Sequence, residues 1–223
     1  LTLVSYPGSS FNYEHGNYTE IAHPGVMTSG ERATAAIDAL ESGKSLRRSL
    51  PFDSTDKKEL ADQRFLQEQE VLTSGYVAQT FAKEAPDKAL TLLKDAQTVV
   101  QEEILKPIKT APPNIKVDEQ KRADLLHDSL AISAKGVMDN LYDGLPKAVI
   151  NKKYSGAHID EAFKFLQAVT GDIQDKDLKT PHLETIKDVK AKLNSIGVMA
   201  KIAELQRIAG HGEFIKQMNE LLE

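Results

Sequence analysis

Asp124, His127 and Asp128 occupy positions i, i+3 and i+4 in the string Ala123-Asp124-Leu125-Leu126-His127-Asp128. On a helix these positions share a face, so two carboxylates and an imidazole could converge. Oxygen and nitrogen donors of that kind suit a divalent metal such as Mn, Fe or Mg. The same residues also have a structural reading: His127 shares its face with Ala123, Leu130, Ala131 and Ala134, at the edge of a buried stripe. The other histidines, His15, His23, His158, His182 and His211, show no paired metal spacing. His158 and Glu161, three apart, read as a surface contact. The sequence contains no Gly-rich phosphate loop, no His-Glu-x-x-His string and no Cys, which removes thiolate metal sites and cysteine nucleophiles.

The six-residue string resembles the central motif of HD-domain metal-dependent phosphohydrolases, which are also all-α. That resemblance implies a divalent metal held by His127 and Asp128, with a further upstream His and a later Asp. The nearest upstream histidines are His23 and His15, and the later carboxylate would be Asp172, Asp175 or Asp188. A metal-dependent phosphohydrolase is therefore the alternative function, and without it no cofactor is expected.

Two further strings suggest contacts with other proteins. Ser45-Leu46-Arg47-Arg48-Ser49-Leu50 reads as an exposed basic connector after Gly43, with Arg47 and Arg48 available to a partner. It is faintly similar to the arginine-finger loop of bacterial toxin GTPase-activating domains, where a Gly-x-Leu-Arg string presents an Arg that stabilises charge in phosphoryl transfer. Here Lys44-Ser45 alters the spacing, and the chain has no Trp for that family's companion motif. Tyr18-Thr19-Glu20-Ile21 has the aromatic-x-x-aliphatic spacing of a segment that adds to a partner's sheet edge, so Tyr18 and Ile21 are candidate contact residues.

The elements that must position these groups read as helical. Residues 1–27 are set apart by Tyr6, Phe11, Tyr13 and Tyr18 among Gly, Ser, Asn and Pro, and predict an extended aromatic arm. Thr28-Ser29-Gly30-Glu31 has the form of a capping box, followed by Ala33, Ala36, Ile37 and Leu40 at helical spacing up to Gly43. Long helices are predicted at about 55–84, 87–109 and 117–143. In the first, Leu60, Phe65, Leu72, Tyr76 and either Val77 or Phe81 should form one broad apolar face, and Ser74-Gly75 is the expected break. Leu92, Leu93, Ala96, Val99, Val100 and Ile104 make the second central, and Leu126, Leu130, Val137 and Leu141 point the third inward. Pro112-Pro113 reads as an extended spacer. Shorter helices should follow, one ending at Gly171, one opened by Thr180-Pro181 and ended by Gly197, and two more beyond.

The expected architecture is an all-α, elongated bundle of long antiparallel helices followed by shorter C-terminal helices. Its units are the arm at 1–27, N-terminal helices at 28–110, and helices at 117–223 that join the same bundle or form a second small one. The chain has 223 residues and a net charge of −5. That balance argues against a backbone-reading nucleic-acid binder, and no stretch approaches the ~20 apolar residues that span a bilayer. The expected class is thus a soluble, cytoplasmic or exported, non-enzymatic module that binds another protein. Because it begins at Leu1 without a Met, a fragment of a larger protein is within that expectation.

Overall fold

The computed structural model describes residues 10–12, 17–19, 27–50, 56–143 and 156–208. Within the arm, β1 (Ser10–Asn12) and β2 (Asn17–Thr19) pair antiparallel, with Phe11 opposite Tyr18. Ile21, Pro51 and the helix expected around Phe214–Leu222 lie outside the described residues. The rest is all-α. Among the described residues no helix is long and apolar enough to cross a membrane.

Helix α1 (Ser29–Ser49) begins with the expected capping box: Glu31 N donates to Thr28 Oγ1 at 3.2 Å, and Thr28 N donates to Glu31 Oε2 at 2.7 Å. It does not stop at Gly43. Glycine costs a helix interior about 1 kcal/mol, and the next turn is held by tertiary contacts of Lys44 and Arg47, so the helix continues to Ser49. Helix α2 (Lys57–Thr80) is capped by Asp56, which accepts from Lys58 N and Glu59 N, and passes unbroken through Ser74-Gly75. The third helix, α3 (86–108), consists of Pro86–Thr98, a π-helical segment Val99–Leu105 and a last turn Lys106–Ile108. Lys106 N–H reaches back five residues to Gln101 O. Pro107 follows at once, with no N–H to continue the four-residue ladder.

The proline pair is not a spacer. Pro113 opens α4 (Pro113–Asp143), where its missing N–H is not needed, and Lys116 N donates to Pro112 O at 3.0 Å. Helix α5 (Gly156–Asp172) is followed by α6 (Lys176–Ile208), which Asp175 starts by accepting from Asp177 N at 2.8 Å. Pro181 therefore sits inside α6, and Gly197 does not end it. What reads as two short helices is one of 33 residues.

Cross-contacts set the directions. Arg122 meets Glu68, and Asn140 meets Gln79, so α2 and α4 run parallel. Helix α3 packs on both and runs antiparallel to them, and α5 returns antiparallel to α4. Helix α4 is central: Ala123, Leu126, Leu130, Ala131, Ala134, Val137, Met138 and Leu141 are all buried, against Leu92, Leu93, Ala96, Val99, Val100 and Ile104 of α3 and Ile159, Leu166 and Val169 of α5. Gly75 marks close approach of α2 to α4, since a Cβ there would meet Ser133 Oγ at 2.5 Å.

Of the face expected inward on α2, Val77 is buried and Phe81 packs against the core, but the rest of it turns largely outward. Phe65, Leu72 and Tyr76 are exposed, while Gln67, Glu70, Val71, Ser74, Val77 and Ala78 are buried. Gln67 and Glu70 go inside because arginines from two other helices reach them.

Candidate functional site

On α4, the three residues of the expected metal face go three ways. Asp124 is buried and clamps the α5–α6 turn: Oδ1 accepts from Gln174 N at 3.0 Å and from Gln120 Nε2 at 3.0 Å, and Oδ2 from Asp175 N at 3.0 Å. Asp128 Oδ1 lies 2.6 Å from His182 Nε2 of α6. His127 is 0% exposed, with neither ring nitrogen hydrogen-bonded. At ~100° per residue, positions i, i+3 and i+4 spread over roughly 100° of arc. That arc is wide enough for α5 and α6 to capture different members. The convergence that the spacing suggests does not occur, and among the described residues no three His, Cys, Asp or Glu side chains gather as a metal would require.

Of the downstream carboxylates, Asp172 comes nearest, its Oδ2 3.9 Å from His127 Nε2. That oxygen already accepts from Gln97 Nε2 at 3.0 Å and Gln101 Nε2 at 2.9 Å. Burial pushes the His127 pKa down, more than Asp172 and Asp124 push it up. The imidazole is therefore neutral near pH 7, a poor general acid but chemically intact inside the core. Gln97, Gln101 and His182 escape a sequence reading, although the i,i+4 spacing of the two glutamines hints at a shared target.

The second candidate, at Arg47 and Arg48, is corrected by burial. Residues 44–49 are the last turns of α1, not a connector, and Arg47 is only 8% exposed. Its guanidinium grips Glu103 of α3 with two bonds, Nη1 to Oε2 at 2.8 Å and Nη2 to Oε1 at 2.9 Å, and Nε donates to Glu70 of α2. Arg48 Nη2 donates to Glu70 Oε1 at 3.2 Å. Gln67 extends the chain of contacts, donating to Glu103 Oε2 and accepting from Arg122 of α4, which also binds Glu68 and Glu119. Burial alone would lower the Arg47 pKa; Glu103 and Glu70 outweigh it and hold the net shift upward. Burial likewise pushes the Glu103 carboxyl up, and Arg47, Gln67 and Arg48 reverse it to below the ordinary value. Arg47 is thus a structural ligand of its own protein. Tyr18 lies in β2, and Ile21 falls outside the described residues.

A third surface emerges only in three dimensions. Phe65, Leu72 and Tyr76 of α2 and Leu125 and Ile132 of α4 are 42–61% exposed. Counted at ~100° per residue from the Gly75–Ser133 contact, the α2 core residues Val71 and Ala78 fall to one side and Leu72, Phe65 and Tyr76 to the other. On α4, Leu126, Leu130 and Val137 fall to the core side and Leu125 and Ile132 to the other. Because the helices run parallel with both cores turned the same way, the two exposed stripes flank one seam. No family model, curated protein or solved structure matches the chain.

Proposed function

We propose that this chain is a non-enzymatic, protein-binding helical module whose contact surface is the outer α2–α4 face. One observation carries the reading: five large apolar side chains, exposed on two adjacent parallel helices, flank a single seam. Contiguous exposed apolar surface of this kind marks interaction sites more often than scattered residues do. The occupant that fits is an amphipathic helix of another protein, laid along the seam with its apolar ridge between the Phe65–Leu72–Tyr76 and Leu125–Ile132 rows. The seven-residue steps from 65 to 72 and from 125 to 132 match two turns of such a ridge. Lys58, Asp62, Lys121 and Asp139 border the face with both signs of charge, which favours a helical ridge over a phosphate backbone.

Affinity capture with the full chain, followed by titration of any captured protein in purified form, tests this. Leu72→Glu with Ile132→Glu is expected to weaken that binding at least 100-fold, while Asp38→Lys on α1 leaves it unchanged. Binding indifferent to the double substitution, or turnover of phosphoesters by the purified chain, would overturn it. The metal phosphohydrolase alternative has less support, since Asp128 is engaged by His182 and Asp124 by the α5–α6 turn. Near-stoichiometric divalent metal in purified protein, lost on His127→Ala, would reinstate it.

A further inference from the structure

The exposed apolar side chains of the α2–α4 face are arranged symmetrically about one point. Phe65 and Tyr76 are centred between residues 70 and 71 of α2, and Leu125 and Ile132 between 128 and 129 of α4. Each centre stands four and a half residues before the close approach of Gly75 to Ser133, which joins the two parallel helices. At ~1.5 Å per residue both centres therefore lie at one height along the seam. Leu72 stands only one and a half residues from that height. In either direction the face presents an aromatic ring, an aliphatic side chain, a leucine near the middle, an aliphatic side chain and an aromatic ring.

A face in that order matches itself after a half-turn about an axis lying across the seam. The rotation sets α2 over α2 and α4 over α4 with their directions reversed. Phe65 of each copy then meets Tyr76 of the other, Leu125 meets Ile132, and Leu72 comes close to its own counterpart. Closed two-fold contacts of this kind use one self-complementary patch on both copies.

The charges at the ends of the face fit the same rotation. Lys121 and Asp139 are both exposed and eighteen residues apart on α4, five whole turns at ~100° per residue, so they share one line beside Ile132. The half-turn brings Lys121 of one copy to within about 5 Å, along the axis, of Asp139 of the other. Each end then collects Asp118 and Lys121 from one copy with Lys135 and Asp139 from the other, two charges of each sign. Such charges fix the register of an interface more than they add to its affinity.

We propose that the α2–α4 face closes on a second copy of this chain as a two-fold symmetric, antiparallel dimer centred near Leu72. The pairing rests on the reading of that face as a contact surface, but not on the helix of another protein proposed to occupy it.

Sedimentation equilibrium of the full chain over a concentration series tests the pairing, and a reversible monomer–dimer equilibrium is expected. Leu72→Glu sets two carboxylates near the axis and should weaken the dimer at least 100-fold. Leu46→Glu, at an exposed position of α1, should leave it unchanged. Lys121→Asp alone should weaken it about 10-fold, and adding Asp139→Lys should restore it, since these positions lie too far apart to meet within one copy. The chain has no cysteine, so Leu72→Cys supplies a single thiol that a short bis-maleimide should join between two copies, whereas Leu46→Cys should not be joined. A single-chain mass at every concentration, whether the face stays open or another segment of the same chain covers it, would overturn the dimer. So would a dimer indifferent to Leu72→Glu. A monomer that still binds a captured protein through Leu72 and Ile132 would remove the symmetric pairing and leave the contact surface in place.

Discussion

The two flanks of α4 are built on opposite principles. Toward α3 and α5 it meets Leu, Val, Ile and Ala with one silent imidazole among them. Toward α2, and through α2 to α1, apolar contacts of Val71, Val77 and Ala78 are joined by arginine, glutamate and glutamine linked from Arg48 to Glu119. Hydrophobic burial is cumulative and indifferent to angle, so the first flank can carry the stability of the fold. Buried ion pairs contribute little net stability and demand particular geometry, so the second flank fixes register. The lesson is that burial alone does not rank importance: Arg47 and Leu130 are both inside, but they hold different things.

The largest effect should come from the apolar flank. Leu130→Ala is expected to cost about 2–5 kcal/mol, read as a lowered midpoint in urea with the slope unchanged. Arg47→Gln should cost less than that in the same experiment, because Arg48 still pairs with Glu70 and the Glu103 side chain is 32% exposed to water; an equal or larger loss would erase the distinction between the flanks.

A smaller effect separates the two flanks by pH. His127 has a folded pKa below its ordinary 6.5, so as pH falls below 6.5 the unfolded chain takes up the proton first and stability declines until the folded value is passed. Glu103 has a folded pKa below its ordinary 4.5, so its contribution is complete above 4.5 and is lost as pH drops from there through the folded value. His127→Leu should remove the first decline and leave the second. It should also gain up to about 1 kcal/mol at neutral pH, because an unpartnered buried polar group is replaced by an apolar one. A stability profile in urea from pH 8 to 3.5 that is unchanged by the substitution would place the acid sensitivity elsewhere.

Smallest of all is the seam. Gly75→Ala gains helix propensity of about 1 kcal/mol but drives its methyl against Ser133 Oγ at 2.5 Å. A net loss is expected, recovered by Ser133→Gly in the same chain. If Gly75→Ala alone is stabilising, the two helices have room to separate and the seam is looser than described.

How much of this could be read from sequence depends on which force decides each place. The apolar stripes of α3 and α4 were legible because local periodicity and tertiary burial agree there: every residue expected inward, from Leu92 to Ile104 and from Leu126 to Leu141, is buried. On α2 they conflict. Phe65, Leu72 and Tyr76 are the greasier face, and only partners 23 and 36 residues away, Arg47 and Glu103, explain why Glu70 and Gln67 are inside instead. Nothing local encodes that. Gly43 and Gly75 misled for a related reason, because a glycine's cost is small beside the contacts of the turns around it. Pro181 misled because Asp175, six residues earlier, is the actual start of α6. At the candidate site the i, i+3, i+4 face of Asp124, His127 and Asp128 was real, but the spacing does not say how many neighbouring helices share that arc.

Asp124 binds two successive backbone amides where α5 gives way to α6, and α6 is 33 residues long. At ~1.5 Å per residue that is a rod of roughly 50 Å, docked on the body as far as Leu193 through His182, Ile186, Val189 and Leu193. One short side chain thus sets the angle at which the longest of the described helices departs from α5.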